Sequence, residues 1–161
     1  MSLRYLVPDF IGFFVSFMVI ALYWKFYLLV SRYITVFDDA LFRLNIFLLL
    51  SVVLLPFSTG FFVDYLDARG PFTFYCANLV LLGLVLYIMT RIVLKRAKIK
   101  IDPVDAEWLR FRGLWAVVFW LVFFVLSFFI GSILVLCIPS IFVVQFFAKL
   151  YYNRKKGKYS K

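Results

Sequence analysis

The stretch LFRLNIFLLLSVVLLPFSTGFFV, residues 41–63, carries a single charge, Arg43, in 23 residues. A helix needs about 20 mainly apolar residues to cross the hydrocarbon of a bilayer. This stretch is long enough and greasy enough to do so. Similar runs occupy residues 6–29, 72–94, 114–129 and 132–152. Five transmembrane helices are therefore expected, with Pro56 inside the second and Pro139 inside the fifth. The fourth and fifth meet at Gly131-Ser132, which predicts a tight helical hairpin.

The composition agrees with this reading. Of the 161 residues, 66% are hydrophobic and 16% are charged, and the mean hydropathy is +1.02. So few charges cannot cover a soluble core of this size. The lipid bilayer is the expected solvent. The expected fold is an all-α integral membrane bundle over residues 1–152, with a basic tail at 153–161. The run after Met1 has no small-residue cleavage site, so it is expected to stay as a helix.

The net charge of +10 does not point to nucleic acid, because the basic residues sit in blocks beside apolar runs. The first loop holds Lys25, Arg32 and Arg43 against Asp38 and Asp39. The second holds Arg69 against Asp64 and Asp67. The third holds Arg91, Lys95, Arg96, Lys98, Lys100, Arg110 and Arg112. The fourth holds no charge, and the tail holds Arg154, Lys155, Lys156, Lys158 and Lys161. Cytoplasmic loops are enriched in Lys and Arg. The alternation predicts an outside N-terminus and a cytoplasmic C-terminus; the membrane expected is a bacterial plasma membrane. In the third loop, Asp102-Pro103 reads as a helix cap followed by a first-turn proline. A short helix leading into the fourth span is expected there. The aromatic residues Tyr23, Trp24, Tyr27, Tyr65, Trp108, Trp115, Tyr151 and Tyr152 lie near span ends and read as an interfacial belt.

Several function classes lose their residues. The chain has no His, and its two cysteines, Cys76 and Cys137, lie within apolar runs. They read as small core residues. No metal site, cofactor or catalytic set is expected, and the chain is read as not an enzyme. The segment Asp64 to Gly70 resembles the acidic motif of membrane phosphatidyltransferases, but the further glycines and aspartates of that motif are missing.

Polar groups inside a bilayer are costly and need a reason. Asp9, Gly12, Ser16, Tyr23 and Tyr27 recur at helical spacing on one face of the first span. This face reads either as a pore or cleft lining or as a helix contact, since Gly12 and Ser16 form a small-xxx-small pair. In the second span, Asn45, Pro56 and Thr59 fall close to one face. Pro56 is expected to bend its helix, and Asn45 is placed to hydrogen-bond with Asn78 of the third span. Near the end of the fifth, Gln145 and Lys149 share a face, and Lys149 can snorkel to headgroups.

Ser16-Phe17, Trp24, Leu44-Asn45, Leu55-Pro56-Phe57-Ser58-Thr59, Tyr75 and Asn78 occur in this order. The set resembles the lysosomal and bacterial potassium channel family of the transmembrane-protein-175 type, over roughly residues 10 to 90. The resemblance implies subunits assembled round a central pore, and potassium or another monovalent cation as the permeant ion. In that family a repeat has six helices, and the first carries a Phe-Ser-Asp motif and lines the pore. The resemblance sets this chain's first span on the family's second helix. No Phe-Ser-Asp occurs here, and Tyr27 stands where the family has a His after the Trp. The resemblance thus implies a homo-oligomer, or a partner membrane protein that supplies the missing helix to a non-conducting subunit.

Overall fold

The computed structural model describes residues 3–65, 68–96, 101–130, 146 and 149–153; of residues 3–9, 11, 15 and 130 it describes the backbone only. Four long helices form the described bundle: α1 (Leu3–Ser31), α2 (Asp39–Asp64), α3 (Arg69–Arg96) and α4 (Pro103–Ile130). Each has a stretch long and apolar enough to cross a membrane. A helix of 28 residues, such as α3, is about 42 Å long, which exceeds the hydrocarbon thickness. The all-α integral membrane architecture follows. The fifth expected span lies mostly outside the described residues, as do the Gly131-Ser132 corner, Pro139, Gln145 and Cys137. Residues 149–153, at its end, are helical.

Local chemistry sets where the helices begin. Asp38 caps α2: its carboxylate accepts from the Leu41 N–H at 3.1 Å. Asp102 caps α4 in the same way, accepting from the Val104 N–H at 2.8 Å. The Asp-Pro signal is thus a true helix start. However, α4 then runs unbroken to Ile130, so among the described residues there is no separate short helix before the span. Residues 104–130 contain no second proline, and Gly113 is clamped by packing against Tyr87 and Phe26. Nothing interrupts the hydrogen-bond ladder. Helix α2 continues through Pro56.

Neighbours in sequence are neighbours in space, and they run antiparallel. Short connections favour this arrangement. Arg96 at the end of α3 meets Asp38 at the start of α2 through two hydrogen bonds of 3.0 and 2.7 Å. At the other end, Thr73 of α3 hydrogen-bonds with Ser127 of α4 at 2.9 Å. Helix α3 is the most buried of the four. Its Phe72, Leu79, Leu82 and Met89 are fully enclosed, as is Trp120 of α4. Cys76 is a free, buried thiol in this core. The outer faces carry Phe10, Phe13, Phe14 and Phe17 on α1, and Val53 and Phe57 on α2. Such a surface suits lipid or another protein, not water.

Candidate functional site

The polar face of α1 turns inward. Ser16, Val19, Tyr23, Phe26 and Val30 are buried at alternating three- and four-residue spacing. Gly12 brings α1 against α2: a Cβ there would lie 2.5 Å from Val63 Cγ2 and 3.4 Å from Thr59 Cγ2. One turn further on, the Ser16 and Thr59 hydroxyls hydrogen-bond to each other. Thr59 also donates to the Leu55 carbonyl at 2.8 Å. Ser16 is 1% exposed, so in this fold it touches no aqueous surface. The side chain of Asp9 lies outside the described residues.

The second polar contact joins α2 to α3. The Asn78 amide donates to the Ser51 carbonyl at 3.1 Å and to Ser58 Oγ at 3.5 Å. Asn45 is not its partner. Asn45 lies six residues before Ser51, about 9 Å away along the helix, and the antiparallel pairing sets Asn78 level with residues 51–58. The inward polar face of α2 is therefore Ser51, Ser58 and Thr59, while Pro56 is exposed and Asn45 half-exposed. The seven-residue spacing of Ser51 and Ser58 is the signal for this face. Both hydroxyls bond back to their own helix, Ser51 to the Phe47 carbonyl and Ser58 to the Leu55 carbonyl, each at 2.9 Å. Their burial therefore leaves no donor open.

Between these contacts sits an aromatic cluster. Tyr23 of α1, Tyr75 of α3 and Trp120 of α4 are all buried. Tyr75 and Trp120 meet edge to face with centroids 6.5 Å apart. The Tyr23 hydroxyl lies against Gly83, where a Cβ would be 3.2 Å from it. Among the described residues, the Tyr23 and Tyr75 hydroxyls, the Trp120 N–H and the Asn78 carbonyl oxygen have no hydrogen-bond partner. Tyr23 thus belongs to the core and not to the interfacial belt. Trp24, Tyr65 and Tyr151 are exposed, in keeping with the belt, and Tyr27 stacks on Trp24 at 5.4 Å.

The structure brings half-buried Gly12 and buried Ser16, Tyr23, Thr59 and Asn78 into one inward seam and leaves Asn45 and Pro56 at its flank. The geometry of the seam is that of a helix contact. Among the described residues, no group of three or more His, Cys, Asp or Glu comes together. The seam offers hydroxyls, an amide and ring edges, which bind neutral or weakly charged groups and supply no acid–base pair. No curated protein and no solved structure matches the chain. Residues 1–56, which hold α1 and the larger part of α2, match the family model of the endosomal/lysosomal potassium channel TMEM175, and over that stretch the chain is similar to this potassium channel family.

Proposed function

We propose that this chain is a channel-family membrane subunit that passes potassium or another monovalent cation as an oligomer. The observation that carries the reading is the family match over residues 1–56. The seam geometry supports a division of labour. Gly12, Ser16, Tyr23, Thr59 and Asn78 hold the protomer together, and the ion path forms where copies meet. The exposed Phe10, Phe13, Phe14 and Phe17 of α1 are the surface for that meeting. The loop charges favour a cytoplasmic C-terminus. The matched family is a channel family and not a class of enzyme.

The test is potassium efflux from liposomes that contain the purified protein. Efflux above that of protein-free liposomes, growing with protein density, supports the reading. Absence of efflux from folded oligomers refutes it.

A second reading has its own observation. The described outer faces are apolar at mid-span, and the polar groups are turned inward. A scaffold or accessory subunit would look the same. Co-purification with another membrane protein supports this reading, and isolation as a bare, conducting homo-oligomer excludes it.

A further inference from the structure

A cavity of about 610 Å³ opens where α1 ends and α4 begins, with Phe146, Lys149 and Tyr152 beside them. Four cations line it: Lys25, Arg32, Arg112 and Lys149. The carboxylate among them is Asp105, and the Tyr152 hydroxyl donates to it. Among the described residues, the ion pair present is Arg96 with Asp38, so none of the four cations has a carboxylate partner there. One wall is aromatic. Tyr152 stacks on Trp108 at 4.9 Å, Trp108 on Phe111 at 6.3 Å, and Phe111 on Trp115 at 6.4 Å. The Trp115 N–H is buried without a partner among the described residues.

Snorkelling does not account for all of this. Lys25, Arg32 and Lys149 are exposed, and each can reach toward water. Arg112 cannot. It lies nine residues into α4, about 14 Å from the helix start. Its guanidinium is held over the Phe26 ring, 5.1 Å from the centroid. A fixed cation at that depth, beside three more, is costly without an anion. Lys25 lies six residues before the end of α1, about 9 Å in, so the cations face the cavity from both helices.

We propose that this cavity binds the phosphate of a net-anionic phospholipid. The phosphate sits among Lys25, Arg32, Arg112 and Lys149. Arginine suits it because its donors form a fork that matches phosphate oxygens. The glycerol and the root of the acyl chains lie along Trp108, Phe111 and Trp115, at the depth where aromatic rings meet headgroups. The aromatic wall is what distinguishes a lipid from a free phosphate, which has no apolar part to cover it. This site is independent of whether the chain conducts.

The experiment is a thermal unfolding series on the full purified chain in nanodiscs of phosphatidylcholine, titrated with phosphatidylglycerol. The expected result is a saturable rise in melting temperature. Arg112→Gln and Lys149→Gln each weaken the apparent affinity by about tenfold, as loss of one charge-assisted partner implies. Arg43→Gln, an exposed cation of α2 outside the cavity, leaves it unchanged. Equal rises with added phosphatidylcholine overturn the proposal. So does an equal loss from Arg43→Gln, which would mean diffuse surface attraction. An equal rise from millimolar inorganic phosphate assigns the cavity to a soluble anion and overturns the lipid.

Discussion

Ser16 of α1 and Thr59 of α2 hydrogen-bond to each other inside the protomer, one turn from the glycine that lets the two helices touch. This relationship decides how the polar face of α1 is used. A hydroxyl that serves a neighbouring helix is not free to serve an ion. Ser16→Ala removes one partner, while Thr59 keeps its bond to the Leu55 carbonyl. The expected cost is about 0.6 kcal/mol and at most about 1.7 kcal/mol, the average and the maximum measured for such bonds in a membrane protein. Unfolding by detergent titration reads it.

Gly12→Ala is expected to cost more. Its Cβ would meet Val63 Cγ2 at 2.5 Å, so α1 and α2 must separate or Val63 must move. Overpacking of this kind costs about 1 to 3 kcal/mol. Gly60→Ala is the control, because a Cβ there meets nothing within 4 Å. The same unfolding measurement should show Gly60→Ala unchanged or slightly more stable.

Tyr23→Phe is expected to be neutral or mildly stabilising. The Tyr23 hydroxyl is buried and faces the Trp120 side chain without a well-formed hydrogen bond among the described residues, and removing such a group relieves a desolvation cost. Potassium efflux through an oligomer of the variant should match wild type. A loss of efflux with unchanged stability would place the Tyr23 hydroxyl on the ion path.

The Asp38–Arg96 pair gives a pH signature. The Arg96 guanidinium, with the Leu41 N–H, holds the Asp38 carboxyl down to about 2 from its ordinary 3.8. A lowered carboxyl pKa stabilises the fold fully above the unfolded value. That contribution is lost as pH falls from there through about 2. The stability gap between wild type and Asp38→Asn should therefore be constant from pH 8 to pH 5 and close below pH 4. Both groups are exposed, so high salt should narrow the gap at neutral pH.

Much of the architecture is legible from apolar run length. The spans at 41–63 and 72–94 lie inside α2 and α3 with one to three residues to spare at each end, because a bilayer demands a minimum length. The cap at Asp102 is legible because Asp-Pro has one local meaning. The Asn45–Asn78 pairing failed for a different reason. Helical spacing shows which face a residue occupies, but not the depth at which an antiparallel neighbour meets it. Tyr23 misled in the same way: nearness to a span end suggested the belt, and packing against Gly83 decided otherwise. The cavity was hidden because Lys25, Arg112 and Lys149 are far apart in sequence. In the chain they read only as loop and tail charges.

Accessibility at Ser16 tests the central claim, that the polar face of α1 is a contact within the protomer. A Ser16→Cys variant in sealed proteoliposomes is exposed to a membrane-impermeant thiol reagent from both sides, beside wild type. No labelling above wild type is expected while the protein is folded, and full labelling once it is denatured. Rapid labelling of the folded, reconstituted protein would contradict it, and would put the Ser16 face on a water-filled path.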